Sequence, residues 1–320
     1  MTAPSHTRDR WATELAARAR AHWTPARTAA LARGKALLLP PAEAAPLLRA
    51  LGLLDHDAAM PPARVAKYFQ INHMIALLGP ALRELRARHP AIRLLDAGCG
   101  RSYLTLLLAW CAKHVWRHPL EVLGVDHNPA VIDESRRRCA LVELDDVVRF
   151  EPGTLDAVDV RAAWVRAFGA DAGAVHGVIA LHACDTATCD ALALGIALGA
   201  ELLAVAPCCQ AELARAWAAL DERGAPGAFR PIWGAPHLRR ETAADITDAM
   251  RTLLVRAAGY EVAAMEFVPA EHTRKNTLIR ALRRSGGDAD ALAAYEALRT
   301  ATGGAGIALA AHLSGARPDV

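Results

Sequence analysis

The sequence has few aromatic residues, 5% of 320 positions, and arginine far outnumbers lysine. It has no run long and apolar enough to span a bilayer, since the stretch from Leu192 to Val205 is broken by Glu201. Its start, Met1 to Trp11, is polar and charged and lacks the apolar segment of a secretory signal. The seven cysteines are odd in number and include no C-x-x-C pair. That pattern argues against a secreted disulfide framework and a standard zinc finger. These absences make the cytoplasm the expected compartment and imply no membrane; no obligate protein partner is inferred. The net charge of +3 is too small to indicate nucleic acid by itself. The excess of arginine and alanine reads as coding bias before it reads as function. At 53% hydrophobic and 22% charged, the chain can bury one large core, with or without an appendage.

One stretch organises the rest. Leu94 to Leu108 reads L-L-D-A-G-C-G-R-S-Y-L-T-L-L-L. An apolar run, Ile92 to Leu95, ends at Asp96, small and glycyl positions follow through Gly100, and a helix-like apolar run starts near Tyr103. This is strand, tight turn, helix. Glycine lets the backbone turn sharply and approach a ligand, and the helix aims its free N–H groups at the same spot. The turn is D-x-G-x-G, with Tyr103 where the third glycine of the dinucleotide fingerprint would fall. A pyrophosphate cradle is therefore not encoded, which disfavours an NAD enzyme. Asp96 would repel a pyrophosphate and could hold an ammonium. Asp126 closes the next apolar run, where nucleotide folds place an acid that accepts from ribose hydroxyls. An adenosyl ligand with a cationic amino-acid end fits the pair.

On Asp96, Gly98, Gly100 and Asp126 the sequence resembles the class I S-adenosylmethionine-dependent methyltransferases. The resemblance implies an α/β fold: a Rossmann-like sheet, mostly parallel, finished by an antiparallel hairpin. S-adenosylmethionine is the implied cofactor. The patterning agrees with that fold. Strands are expected at Ile92–Leu95, Leu120–Asp126, Val147–Phe150, Val175–His182 and Leu202–Pro207, then a hairpin at Glu261–Phe267 and Thr277–Leu282. Helices are expected at Thr7–His22, Pro25–Leu38 and Ala42–Leu54. Arg64–His89 reads as one long helix or a pair broken at Gly79-Pro80, and the residues from Thr302 as loosely held. The division expected is a helical N-terminal region (1–62), a methyltransferase domain (63–285) and a C-terminal helix and tail (286–320). Lys67 and Gln70, on one helix face, read either as a solvated packing face or as reaching the cofactor's carboxylate. Thr154, past the third strand, joins the expected cofactor contacts.

Three clusters converge on the cofactor edge in this topology: L-H-A-C-D at Leu181 to Asp185, A-P-C-C-Q at Ala206 to Gln210, and the hairpin loop with His272, Arg274 and Lys275. Each alone reads as a satisfied histidine, small buried thiols or a solvated loop. Together they mark a substrate site. His182 or Asp185 could act as a base. Cys208 or Cys209 could act as a nucleophile, as in cytosine-5 RNA methyltransferases, although the surrounding motif differs. Zinc ligation by His182, Cys184, Cys208 and Cys209 lacks metal-ligand spacing. More narrowly, H-A-C-D after the fourth strand and P-C-C after the fifth resemble a group over about Arg64 to Arg284. It includes the eukaryotic tRNA acceptor-stem 2′-O-methyltransferase and the protein with a glutathione-transferase C-terminal region. That resemblance implies RNA as substrate. A small molecule, a protein side chain or a non-catalytic binding domain remain the alternatives.

Overall fold

The computed structural model describes residues 5–169, 173–181, 183, 185–207, 209–267, 277–284 and 286–315, with side chains described from Arg10 onward. Seven strands form one sheet: β1 (Ile92–Ala97), β2 (Leu120–Asp126), β3 (Val148–Pro152), β4 (Gly177–Ala180), β5 (Leu202–Val205), β6 (Tyr260–Glu266) and β7 (Thr277–Arg283). Their order is β3-β2-β1-β4-β5-β7-β6. The first five strands pair in parallel, and β7 runs antiparallel between β5 and β6. The order reverses between β1 and β4, so the strand ends there open a crevice for a ligand.

The N-terminal helices are α1 (Ser5–His22), α2 (Pro25–Ala32), α3 (Ala45–Ala50) and α4 (Pro62–Arg88). Between strands lie α5 (Tyr103–Trp110), prolonged by a π-helical turn at Cys111–Trp116, then α6 (Pro129–Leu141), α7 (Val160–Phe168) and α8 (Thr186–Ala197). After β5 come α9 (Glu212–Glu222), α10 (Arg230–Trp233) and α11 (Pro236–Ala257), and after β7 come α12 (Ala289–Ala301) and α13 (Ala308–Leu313). Successive strand residues face opposite sides. Leu94, Val122 and Ile179 join a core that includes Leu15 and Leu39. Leu95, Leu123 and Val178 join a second core with Tyr295 and Leu309. The N-terminal helix α1 and the C-terminal helices α12 and α13 therefore pack into cores built on the sheet. No described helix is long and apolar enough to cross a membrane.

Three expectations need correction, and the alternative left open for Arg64–His89 is decided. The helix expected through Leu38 stops at Ala32, where Arg33 turns left-handed. The reason is Asn72: its buried Oδ1 accepts the amides of Leu38 and Leu39 at 3.0 and 3.1 Å, which draws that segment out of helix. The helix expected over Ala42–Leu54 narrows to Ala45–Ala50. α4 is one helix despite Pro80, because Leu78, Ala81, Leu82 and Leu85 on its inner face are buried, so packing outweighs the lost backbone bond. Of the residues from Thr302, those described, to Gly315, are not loose: α13 buries Leu309, and His312 pairs with Asp190 of α8 at 2.8 Å.

Candidate functional site

The glycine turn is built by bonds from the end of β2. The amides of Gly98 and Cys99 both donate to the Val125 carbonyl, at 2.9 and 3.0 Å. Gly98 and Gly100 have φ of +71° and +53°, the left-handed region that side chains disfavour. A Cβ on Gly98 would sit 3.7 Å from that of Ala183, so conformation, not a protein neighbour, calls for glycine there. Gly124, inside β2, is glycine for a different reason: a Cβ would come within 2.7 Å of Phe150. The turn is braced from α6, where Ser135 Oγ donates to the Gly100 carbonyl at 3.2 Å and pairs with Ser102 Oγ at 3.0 Å.

Asp126 is where the motif places it, at the C-terminal end of β2. Its Oδ2 accepts the Gly100 amide and its Oδ1 the Asn128 amide, each at 2.9 Å. A carboxylate has about four acceptor positions, so lone pairs remain for ribose hydroxyls. Asp96, next to last in β1, is only 4% exposed and accepts the hydroxyl of Thr105 from α5. Burial pushes its pKa up to about 7; the Thr105 hydroxyl opposes the rise and the charge of Asp126 adds to it. Among the described residues no cation pairs with Asp96. An acid buried without a counter-charge is costly, and a ligand ammonium would relieve it.

The other expected cofactor residues lie around this turn unequally. Lys67, exposed on α4, holds its Nζ 4.1 Å from the ring centre of Tyr103, the first residue of α5. Arg138 of α6 approaches the same ring at 5.8 Å. Gln70 is half-buried one turn further along α4. Thr154 is exposed just beyond β3, its carbonyl taken by the amides of Ala157 and Val158.

At the ends of β4 and β5 the chain brings Asp185 and Cys209 together: the Asp185 amide donates to the Cys209 carbonyl at 3.0 Å. Asp185 has φ +53° and ψ −118°, a strained backbone for a residue with a side chain. Both oxygens of its carboxylate are engaged. Oδ1 accepts the amides of Ala211 and Glu212 at 2.8 and 2.9 Å, and Oδ2 accepts Arg215 at 2.7 Å. Burial raises its pKa, but the Arg215 bond and the two amides outweigh that and hold the carboxyl below its ordinary value. Asp185 thus anchors the start of α9. Beneath it, the fully buried Arg251 donates to the Asp185 carbonyl and to Asp248. Cys209 is half-buried and free of disulfide. His182, Cys184, Cys208, His272, Arg274 and Lys275 lie outside the described residues.

Sequence reasoning missed Thr105, Ser102, Ser135, Arg215 and Arg251. A polar residue inside an apolar helix, as Thr105 is, was the one available signal; the rest depend on partners distant in sequence.

A methyltransferase-domain family model matches residues 66–216, the span that contains the glycine turn, both acids and the ends of β4 and β5. Residues 66–216, just under half of the chain, are thus similar to a methyltransferase domain. The uncompensated Asp96 carboxylate and the accepting Asp126 fit the amino and ribose ends of S-adenosylmethionine. No curated protein matches the chain in sequence. Among solved structures it is similar to the S-adenosylhomocysteine-bound methyltransferase PaMTH1 of Podospora anserina, with 12% identity, TM-score 0.40, and coverage of 89% of this chain and 98% of that one. It is also similar to the geranyl diphosphate C-methyltransferase of Streptomyces coelicolor A3(2), with 17% identity, TM-score 0.34, and coverage of 69% and 84%. A third is the [4+2]-cyclase SpnF, with 11% identity, TM-score 0.38, and coverage of 67% and 84%. At these levels the likenesses bear on neither substrate nor mechanism.

Proposed function

We propose that this methyltransferase acts on RNA and belongs with the group carrying H-A-C-D after β4 and P-C-C after β5. The observation that supports the acceptor class best is the cationic rim of the cofactor edge. Arg215 is exposed beside Asp185, and Lys67 and Arg138 flank Tyr103. Cations so placed suit a phosphate backbone passing over the donor.

The donor supplies an electrophilic methyl group. The residues of this chain bind it and orient the acceptor. In this reading Asp96 accepts from the amino end, Asp126 from the ribose, and the Gly98 to Gly100 turn admits the ligand's approach. Lys67 and Gln70 face its carboxylate, and Thr154 borders the adenosyl side. Because Asp185 is held ionised by Arg215 and two amides, it positions the H-A-C-D segment, and proton acceptance falls to His182. Cys208 and Cys209 line the acceptor side without forming a covalent intermediate, and His272, Arg274 and Lys275 bind substrate. The N-terminal region 1–62 recruits the acceptor.

The test is transfer of labelled methyl from the donor to separated cellular RNA, protein and metabolite fractions. Label in RNA, with RNA affinity that falls as salt rises, supports the reading. Label in the metabolite or protein fraction alone would replace it.

A further inference from the structure

The segments that follow β4 and β5 are tied to each other twice. The first tie is direct: the Asp185 amide donates to the Cys209 carbonyl at 3.0 Å. The second runs through α11. Gln210, the residue after Cys209, donates its Nε2 to Asp248 Oδ2 at 2.9 Å. Asp248 Oδ1 accepts Arg251 Nη1 at 2.9 Å, and Arg251 Nη2 donates to the Asp185 carbonyl at 2.7 Å. The circuit of bonds thus closes on the residue where it began. Gln210 and Arg251 are buried, and the Asp248 side chain is 12% exposed.

The circuit meets the backbone at a strained point. Asp185, with φ +53° and ψ −118°, lies outside the regions that a residue with a Cβ ordinarily occupies. Such a conformation persists only where its surroundings hold it, and it is found most often at functional sites. Here Arg251 holds the carbonyl and Cys209 the amide. The local helix adds less: the Thr188 amide of α8 reaches the Asp185 carbonyl at 3.3 Å.

Stability alone does not call for this arrangement. Burying a guanidinium and a carboxylate costs desolvation, and an apolar pair of similar volume is often as stable or more so. A buried ion pair set against a strained loop at two strand ends answers a demand for position.

We infer that Arg251 is a positioning residue for methyl transfer: through the Asp185 carbonyl on one side, and Asp248 and Gln210 on the other, it holds the segments after β4 and β5 at one fixed spacing. Arg251 has no exposed side-chain surface, so it acts only through the residues it bonds. The inference rests on the reading that these two segments face the acceptor, and it does not depend on the acceptor being RNA.

The test uses the full chain, labelled S-adenosylmethionine with whichever cellular fraction the wild-type protein labels, and calorimetry with S-adenosylhomocysteine to count donor-binding sites. Arg251→Met with Asp248→Leu replaces the pair by apolar side chains and should keep the fold. Arg251→Lys keeps a cation beside Asp248 but lacks the planar fork that spans Asp248 and the Asp185 carbonyl. Both variants should bind S-adenosylhomocysteine as the wild type does. Both should lose at least about tenfold in kcat per donor-binding site, with the donor KM unchanged. A purely structural role would lower the melting temperature without moving kcat per site. The inference is overturned if either folded variant turns over at the wild-type rate per donor-binding site. If the wild type labels protein or metabolites instead of RNA, the RNA reading falls and the same comparison, made on that fraction, decides the inference. If the wild type binds S-adenosylhomocysteine but labels no fraction, the reading of these segments as an acceptor site falls, and the inference with it.

Discussion

Asp126 Oδ2 accepts the Gly100 amide at 2.9 Å, which ties the turn after β1 to the end of β2. The residue expected to hold the ribose also holds the shape of the glycine turn. Its removal should therefore be felt twice. Asp126→Ala should weaken S-adenosylhomocysteine in calorimetry and lower stability in denaturant melts by about 1–3 kcal/mol. Donor affinity equal to the wild type would detach Asp126 from the ribose.

Asp96 links donor binding to pH. Its folded pKa is raised from 3.8 to about 7 by burial. The folded chain therefore binds more protons than the unfolded chain between about pH 4 and pH 7, and donor-free stability declines as pH rises through that window. A ligand ammonium favours the ionised form. Donor affinity should rise with pH up to about 7, with proton release measurable in buffers of different ionisation heat. Asp96→Asn should abolish both the linkage and most of the affinity. A flat pH profile in the wild type would mean that Asp96 does not meet the amino group.

Gly98 has φ +71° with room for a small side chain. Gly98→Ala should cost about 1–2 kcal/mol in stability through conformation alone. Gly98→Val should in addition abolish donor binding. Normal donor affinity of the folded Gly98→Val protein would make this a glycine of conformation only.

Asp185 should behave as an anchor. Its carboxyl is held below the usual range by Arg215 and the amides of Glu212 and Ala211, against the opposing effect of burial. Its contribution to stability is present above pH 3.8 and lost as pH falls through the lower folded value. Asp185→Ala should destabilise by about 1–2 kcal/mol at neutral pH through loss of the α9 cap. It should lower turnover while leaving the pH profile of turnover unshifted. Loss of the acidic limb of that profile, where a base is protonated, would restore Asp185 as the proton acceptor.

Arg251 has no exposed side-chain surface and bonds Asp248 and the Asp185 carbonyl. Arg251→Met should cost about 3–5 kcal/mol, because Asp248 would remain as an uncompensated buried charge. Thermal melts of the single variant and of Arg251→Met with Asp248→Leu separate the two effects: the double variant should recover much of the loss.

The sequence by itself determined the parallel strands, the glycine turn and the two acids of the cofactor edge. Each of these is a local pattern: an apolar run of strand length, glycines where φ turns positive, an acid at a strand end. Tertiary structure decided what depends on a partner far along the chain. Asn72 ended a helix forty residues before it, and packing of α4 carried the helix through Pro80. The role of Asp185 was decided the same way, since an acid at a strand end reads as a base until Arg215 and the Ala211 amide, nearly thirty residues on, occupy its oxygens. Gln210 is the last such case. Only the Asp248–Arg251 pair, brought beneath it by α11, fixes its amide and leaves its buried carbonyl without a donor.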